Sequence, residues 1–477
     1  MQQLTGGDAL FLRVETENSP MHIGGVSIYD QSTTPKGKVR FKDILKLFES
    51  RLDRSPIFRR KLLEVPMDYD QPYWVDDENF DLEFHVRHIA LPQPGDWRQL
   101  CIQVARLHAR PLDRNHPLWE VYVIEGLNNI PTIPEGSFAL YVKVHHCAMD
   151  GASGVQFFGA FNDISEKPAK LKKPEPWTPE PPPARSQLLT NAYVNRLRRS
   201  YDMVKLLGGI NPIRKRIQSG RDEGRIQSCE SEIPLTRFNA KLSPHRVVDA
   251  IKMDFADVRA IKNTVEGATI NDAVLTIVAG AMRKYLDAKG ELPEEPLLTG
   301  CPIDVRDENE QEAGGNMIGM MNVSLCTDID DPYDRLVEIH EAAQSAKNYA
   351  EALGPRIGMD IAETVPTGIQ SAVVKLAVGA GLSERNAMMN TIVTNVPGSP
   401  VQLYLCGARQ IDAFGIGPVV PGTGLFHTVG SFVLNKKGSI ILGFVACRDA
   451  MPDPGFYADC LRESYQELKT ACESRKA

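Results

Sequence analysis

The sequence lacks an apolar run long enough to cross a bilayer. A spanning helix needs about 20 consecutive apolar residues, and the best candidate, residues 371–382, is interrupted by Lys375 and two glycines. The N-terminus has no basic segment followed by an apolar stretch, so no secretory signal is expected. The sequence therefore predicts a cytoplasmic protein, which would meet lipids only peripherally, at the inner face of the membrane or on lipid bodies.

Other absences narrow the classes of function. Nine cysteines are scattered without CxxC pairs or metal-ligand spacing, which is typical of reduced, mostly buried thiols in a cytosolic protein. There is no G-x-S-x-G or Walker-type loop, so serine hydrolases and nucleotide triphosphatases have no support. The run Gly415-Ile-Gly417-Pro418 lacks the third glycine of a dinucleotide fingerprint. Because the net charge is −7, no nucleic-acid partner is expected.

The clearest boundary in the chain is a proline-rich segment. Seven prolines lie between Pro168 and Pro183, and proline fixes φ and removes an amide donor, which predicts a semi-rigid connector. A chain of 477 residues, 42% of them hydrophobic and 24% charged, has room for two or three globular domains. We therefore predict an N-terminal domain over 1–165, a linker with a helix over 166–236 and a C-terminal domain over 237–477.

Both predicted domains mix helices and strands, which indicates an α/β (α+β) fold. Helical spacing of apolar residues covers 41–52, 97–110, 187–207, 255–265 and 271–286. Runs of strand-forming residues cover 120–124, 138–144, 248–255, 317–326 and 440–445. The pair Gly208-Gly209, with Pro212 after it, predicts the end of the helix that follows the proline-rich segment.

The most informative stretch is residues 144–151, Val-His-His-Cys-Ala-Met-Asp-Gly, at the end of a predicted strand. Side chains alternate across a strand. His146 is therefore expected on the face of Leu140, Val142 and Val144, with His145 on the opposite face. Only one of the two imidazoles can then enter a given cavity. After the histidines, Gly151 permits backbone angles closed to other residues, and a helix is predicted over 152–162.

The two histidines and Asp150 allow several interpretations. Imidazole is suited to general-base catalysis because its ordinary pKa lies near neutral pH. Without further motifs, a core histidine satisfied by a backbone carbonyl is the favoured interpretation of His146. A metal site is a third possibility, but adjacent histidines on a strand diverge and chelate one ion poorly.

Further motifs connect these residues to a family. The spacing H-H-x-x-x-D-G resembles that of the CoA-dependent acyltransferase superfamily, which includes chloramphenicol acetyltransferase and peptide-synthetase condensation domains. Nearly the whole chain, from about residue 6 to beyond Pro452-Asp453, is similar to the bacterial bifunctional wax ester synthase/diacylglycerol acyltransferases. Ser399 departs from that pattern, since the family more often has a proline there. The motifs that carry the resemblance are 20–25 (Pro-Met-His-Ile-Gly-Gly), 117–119 (Pro-Leu-Trp), 271–272 (Asn-Asp), 315–316 (Gly-Asn) and 395–398 (Asn-Val-Pro-Gly).

The resemblance implies a fold and an activity. The fold would be two chloramphenicol-acetyltransferase-like domains packed face to face, with a tunnel at their interface. The activity would be transfer of a long-chain acyl group from acyl-CoA to a fatty alcohol or diacylglycerol, without a metal or any cofactor beyond the CoA-linked donor. A lipid-binding or lipid-body protein of the same fold with little catalysis, or an acyltransferase with a different hydroxyl acceptor, remain open alternatives.

The resemblance also implies roles for single residues. His146 would be the general base, and His145 a supporting structural residue. Asp150, followed by Gly151, would point away from the imidazole and pair with Arg306 to hold the active-site loop. Loss of that ion pair would cost about 3–5 kcal/mol. Asn271 is the candidate oxyanion donor by family position.

Two of the motifs and one helix keep two interpretations each. Asn271 could simply cap the helix that it opens. Pro117, Leu118 and Trp119 could line an acyl pocket, although a tryptophan before a strand is usually a core residue. The helix after the proline-rich segment carries many arginines and lysines among apolar residues. Such a helix can lie on a membrane surface, or it can pack its apolar side on the domains.

Overall fold

We describe the protein from a computed structural model. The structure describes residues 2–34, 37–149, 157, 159–167, 171, 176–227, 233–304, 318–354, 357–434 and 437–475. Its strands are β1 (Gln2–Gln3), β2 (His22–Asp30), β3 (Arg60–Leu63), β4 (Tyr73–Asp76), β5 (Val86–Ala90), β6 (Trp119–Leu127), β7 (Ser137–His145), β8 (Arg246–Asp254), β9 (Leu298–Asp304), β10 (Ile318–Ser324), β11 (Thr391–Val396), β12 (Tyr404–Leu405), β13 (Ala408–Ile416), β14 (Leu425–Leu434) and β15 (Lys437–Cys447).

The helices connect and cover these strands. They are α1 (Gly6–Val14), α2 (Phe41–Glu49), α3 (Leu82–His85), α4 (Trp97–His108), α5 (Arg185–Asp222), α6 (Phe255–Lys262), α7 (Ile270–Ala288), α8 (Pro332–Leu353), α9 (Ile357–Thr364), α10 (Thr367–Gly379), α11 (Leu382–Arg385) and α12 (Pro454–Ser474). The helix predicted over 152–162 falls largely outside the described residues.

Two six-stranded sheets form the framework. The first has the order β12-β13-β2-β7-β6-β5 and the second the order β10-β9-β11-β14-β15-β8, and a small sheet, β1-β4-β3, lies beside the first. Both large sheets mix parallel and antiparallel pairs. The predicted α/β class with two domains is confirmed. The tunnel between the domains stays a prediction.

The C-terminal segment contributes to both sheets. β13 pairs antiparallel with β2, from Ile416 opposite Gly24 to Arg409 opposite Asp30. The chain then returns to the second sheet through β14, which pairs with β11 and β15. The predicted division at 237 did not anticipate this strand exchange, which places part of the 237–477 segment in the first sheet.

A continuous hydrophobic core joins the two halves. Buried side chains of β2 and α4 and those of β8, α7 and β15 belong to one cluster. Polar contacts also cross between the halves: Trp97 Nε1 donates to Asp249 at 2.7 Å, and Ser19 Oγ donates to the Val419 carbonyl at 2.7 Å. Because this core is shared, neither half buries its apolar surface alone.

α5 is longer than the sequence predicts. It continues through Gly208-Gly209 and Pro212 to Asp222 instead of ending near Leu207. A glycine in a helix costs only about 1 kcal/mol relative to alanine, and a proline removes one amide donor. Packing of α5 against α8 and α9 offsets the cost of placing the two glycines and the proline inside the helix.

Candidate active site

β7 brings the two histidines to the edge of the first sheet. It is a central strand, with His145 opposite His22 of β2 and Val144 opposite Trp119 of β6. The strand ends at His145, and a 3₁₀ turn over His146–Ala148 follows directly. The turn therefore sets the direction of His146, and the alternation expected for a longer strand does not extend to it.

The ring of His145 is buried and both of its nitrogens are engaged. Nδ1 accepts from the Cys147 amide at 3.1 Å, so the proton lies on Nε2, which donates to Glu15 Oε2 at 3.0 Å. Burial alone would raise the pKa of Glu15. The bonds from His145 and the Met21 amide, together with the charge of Arg114, outweigh that effect and lower it to about 2. These two bonds hold the turn to Glu15, and the supporting role expected for His145 stays a prediction.

His146 is half-buried and lies against α1. Its ring stacks on Phe11 with centroids 3.8 Å apart and planes 7° apart. Its amide donates to the Met21 carbonyl at 2.8 Å. Burial lowers the pKa of the imidazole to about 4, so the ring is neutral at physiological pH and able to take a proton. The neutral imidazole is the form that a general base needs, and the role of His146 as the base stays a prediction.

A second pair of buried histidines ties the site to the C-terminal segment. His22 Nε2 donates to the His108 carbonyl at 2.6 Å, and His108 Nε2 donates to the Gly417 carbonyl at 3.0 Å. His108 Nδ1 accepts from the Tyr141 hydroxyl at 2.8 Å. The sequence analysis missed His108. The only signal for it was its position in a helix that ends shortly before the Pro-Leu-Trp motif.

Lys143 is another buried group that the sequence did not single out. It lies on the same face of β7 as His145, and its ammonium contacts Glu120 Oε2 at 3.0 Å and the Arg110 carbonyl at 3.0 Å. Burial lowers the pKa of Lys143, and the Glu120 carboxylate opposes that shift. The lysine thereby fixes the end of α4 against β7 beneath the histidine turn.

The Pro-Leu-Trp motif packs beneath the same turn. The Leu118 carbonyl accepts from the His145 amide at 2.9 Å, and the Leu118 side chain belongs to a small core with Cys147 and Ala148. Trp119 is fully buried, and its Nε1 donates to the Phe58 carbonyl at 3.1 Å. Pro117 is also buried. These contacts favour the core interpretation, and the acyl-pocket role stays a prediction.

Asn271 lies in the first turn of α7 but does not cap it. Thr269 is the N-cap, and it forms a reciprocal capping box with Asp272. Asp272 also accepts from His340 Nδ1 at 2.9 Å. The alternative in which Asn271 is merely the cap is therefore wrong. Its role as an oxyanion donor stays a prediction.

Three of the predicted site residues lie outside the described residues. They are Asp150, Gly151 and Arg306. The proposed Asp150–Arg306 ion pair and its energetic cost accordingly stay predictions.

A cavity of about 430 Å³ lies next to Glu15. It is bounded by α1, α10 and the segment 64–72, and its lining combines apolar side chains with charged ones. The apolar ones include Leu12, Val374 and Val378, and the charged ones are Arg13, Glu15, Glu64, Asp68, Asp70, Arg114 and Lys375. Glu15 lines it, and His146 is not among its described lining residues. The cavity therefore borders the residue that holds His145 and not the candidate base itself.

Two mixed sheets that share a core, with a paired-histidine turn at the end of a central strand, define a CoA-acyltransferase-like fold. Solved structures share it. A wax ester synthase/diacylglycerol acyltransferase from Marinobacter aquaeolei VT8 is similar over 99% of this chain and 100% of that one, with a TM-score of 0.69 and 25% identity. The starter condensation domain of rhizomide synthetase, in complex with C8-CoA, has the same fold at a TM-score of 0.55 and 12% identity over 99% and 95% of the two chains.

Sequence comparison gives the family. The model of the wax ester synthase/diacylglycerol acyltransferase catalytic domain matches residues 4–274, and that of the C-terminal domain of the same family matches residues 314–469. Two putative diacylglycerol O-acyltransferases of Mycobacterium tuberculosis (strain CDC 1551 / Oshkosh) are similar. One is 32% identical over 98% of this chain and 90% of its own length, the other 31% over 100% and 98%. The chain belongs to the wax ester synthase/diacylglycerol acyltransferase family and is an acyltransferase.

Proposed function

We propose that this protein transfers a long-chain acyl group from acyl-CoA to the hydroxyl of a fatty alcohol or diacylglycerol. The products are a wax ester or a triacylglycerol and free CoA. The observation that carries this proposal is the neutral imidazole of His146, held at the end of β7 in a chain of this family.

The reaction follows from the chemistry of the thioester. His146 takes the proton of the acceptor hydroxyl while its oxygen attacks the thioester carbonyl, forming a C–O bond and an oxyanion. Collapse of the oxyanion breaks the C–S bond, and the imidazolium returns the proton to the leaving thiolate. No covalent enzyme intermediate is needed because the thioester is already activated. Asn271 is the proposed donor to the oxyanion.

We also propose that the histidine pair does not bind a metal. Both nitrogens of His145 are already engaged, one by Glu15 and the other by the Cys147 amide. A metal ion would have to displace one of these bonds. A stoichiometric metal ion in the purified protein would contradict this assignment.

A thiol-release assay tests the activity directly. Palmitoyl-CoA with hexadecanol, with a diacylglycerol or with a sugar alcohol separates the possible acceptors in one panel. Release that depends on hexadecanol or diacylglycerol supports the proposal. Binding of acyl-CoA without acceptor-dependent release would instead favour a lipid-binding protein of the same fold.

We propose further that α5 and α10 place the enzyme on an anionic lipid surface. None of the helices in the described part of the chain has the length and apolar character needed to span a bilayer. On α5, apolar side chains four residues apart are exposed, and the helix has nine basic and two acidic residues in a chain of net charge −7. On α10, Ile369, Val373 and Leu376 are exposed on one face. The exposed apolar residues of α5 are Leu189, Tyr193, Leu197 and Tyr201.

The inner face of α5 is already occupied by protein. Leu188 and Ala192 pack on Val65 and Tyr73, and Arg199 pairs with Asp70 at 2.6 Å. The exposed apolar residues Leu189, Tyr193, Leu197 and Tyr201 are therefore not needed to hold the helix on the domain. Basic residues beside exposed apolar ones are the pattern by which a helix binds an anionic membrane.

Replacing Arg196, Arg198 and Lys205 by glutamine is expected to weaken binding to phosphatidylglycerol vesicles about 100-fold. Each of these residues is exposed, and a basic residue near an anionic surface contributes about 1 kcal/mol. Vesicle flotation measures the partition coefficient. The matched control neutralises three exposed arginines of α4 and α6, Arg98, Arg106 and Arg259. Equal losses in both triple variants would contradict a specific docking face.

A further inference from the structure

Helix α1 brings two side chains to the two histidines. Phe11, within the helix, stacks on His146, and Glu15, its C-cap residue four positions on, accepts from His145. Residues four apart lie on the same face of a helix. One short helix from the start of the chain therefore contacts both members of the histidine pair, which lie far from it in sequence.

The Glu15 carboxylate is bonded on both oxygens. Oε2 accepts from the Met21 amide at 2.9 Å and from His145 Nε2 at 3.0 Å. Oε1 accepts from Arg114 at 2.8 and 3.2 Å. A carboxylate with this many donors is fixed in position and stays ionised.

Two short chains of bonds lead from Glu15 to the backbone on either side of His146. In one, the Met21 amide donates to Glu15, and the Met21 carbonyl accepts from the His146 amide at 2.8 Å. In the other, His145 Nε2 donates to Glu15, and His145 Nδ1 accepts from the Cys147 amide at 3.1 Å. The peptide units flanking the candidate base are thus both tied to one carboxylate.

Phe11 sets the orientation of the His146 imidazole plane. At a centroid distance of 3.8 Å and an angle of 7°, the phenyl ring covers one face of His146. It keeps water from that face, and its π-electrons can attract the imidazolium that forms when the base takes a proton.

α1 is itself held tightly in place. A Cβ on Gly6 would lie 2.4 Å from the Ala362 carbonyl oxygen, so the helix approaches α9 closely. Arg13, on the same helix, donates to Gln370 of α10 and to Gln71. These contacts hold the helix in place and involve neither histidine. Substitutions at Arg13 therefore change how α1 is anchored without removing a contact to His145 or His146.

We propose that Phe11 and Glu15 are positioning residues for the acyl transfer proposed above. Phe11 sets the plane and the hydration of the His146 ring, and Glu15 fixes the turn that carries it. The inference rests on the proposed function for its kinetic consequences. Its structural content, the covering and alignment of one imidazole, can be measured without turnover.

Glu15→Gln tests the carboxylate. An amide keeps the shape but replaces one acceptor oxygen by a donor, which then faces either Arg114 or the Met21 amide and His145. The expected result is a kcat lower by about tenfold to a hundredfold, with KM for acyl-CoA changed less than about threefold. The matched control is Arg13→Gln, which removes the bonds of the same helix to Gln370 and Gln71 and is expected to lower the melting temperature with a kcat loss clearly smaller than that of Glu15→Gln.

Phe11→Leu tests the stacked ring. Burial is the main cause that lowers the pKa of His146 to about 4. Uncovering one face is therefore expected to raise the pKa of His146 toward the ordinary histidine value of about 6.5, so that kcat/KM of the variant falls between about pH 7.5 and pH 6, where the wild-type profile stays flat. Phe11→Tyr keeps the ring and is expected to retain the wild-type profile. In parallel, carbethoxylation of His146 by diethyl pyrocarbonate, followed by peptide mass spectrometry, is expected to be faster in Phe11→Leu than in wild type.

The outcomes distinguish this inference from the proposed function. A wild-type protein that releases no thiol with any acceptor contradicts the function, while the carbethoxylation rates still decide on Phe11. An unchanged rate and an unchanged acid limb in folded Phe11→Leu overturn the role of Phe11. Equal kcat losses in Glu15→Gln and Arg13→Gln overturn the role of Glu15.

Discussion

Replacing His146 by alanine is expected to lower kcat by about 10²–10⁴-fold. This is the usual contribution of a positioned general base, and the adjacent imidazole, His145, cannot replace it because its Nε2 is turned toward Glu15. KM for acyl-CoA should change little, because the loss lies in proton transfer and not in donor binding. Acceptor-dependent thiol release from palmitoyl-CoA measures the effect, with the melting temperature recorded for both proteins.

His145→Ala is the matched comparison. Removing that ring leaves the buried Glu15 carboxylate without one donor and the Cys147 amide without its acceptor. A lost partner of this kind costs about 1–3 kcal/mol of folding free energy. The variant should therefore be less stable, with a kinetic loss clearly smaller than that of His146→Ala. Equal kinetic damage in two well-folded variants would contradict the roles assigned to the pair.

The second large effect is a steep loss of stability when the pH falls below about 6. Burial lowers the pKa of five histidines: His22 well below its ordinary value, His85 and His146 to about 4, and His108 and His427 to about 3. In the unfolded chain each would titrate near 6.5. Because the unfolded state binds protons that the folded state rejects, stability is present above pH 6.5 and is lost as the pH falls toward 4.

The magnitude follows from proton linkage. Each of the five histidines contributes a slope of about 1.4 kcal/mol per pH unit, so the five together remove on the order of 10 kcal/mol by pH 5. Domains are typically stable by about 5–15 kcal/mol. We therefore expect urea unfolding midpoints to fall sharply between pH 7 and pH 5.

A single substitution checks the origin of the slope. His427 lies between Thr391 Oγ1 at 2.9 Å and the Tyr457 hydroxyl at 2.8 Å, both within the core. His427→Gln removes one titrating ring, so it should be less stable than wild type at pH 8 but lose less stability on acidification. A wild-type midpoint that stays flat from pH 7 to pH 5 would contradict the argument.

Local patterns predicted the parts of the site that are local in sequence. β7 and α7 are where periodicity placed them, with ends shifted by one or two residues, because apolar spacing alone determines which residues enter the core. The family was identified from the resemblance of several motifs, the histidine motif among them, and not from periodicity. The direction of the His146 side chain could not be predicted in this way, because it depends on whether the strand ends at His145 or continues through His146.

Contacts between residues far apart in the sequence could not be predicted from such patterns. Nothing in residues 6–15 marks Phe11 and Glu15 as partners of a histidine pair more than a hundred residues away. The exchange of β13 into the first sheet is equally non-local. The length of α5 was misjudged for another reason: Gly208-Gly209 and Pro212 are strong local signals, and tertiary packing against α8 and α9 opposes them.

The pairing of β13 with β2 has a consequence for biosynthesis. β2 leaves the ribosome early, whereas its neighbour at residues 408–416 follows only after most of the chain has been translated. Until then the nascent polypeptide carries an unpaired strand edge, which is a template for intermolecular association. We therefore expect a chain that ends before Ala408 to aggregate and not to form a smaller enzyme.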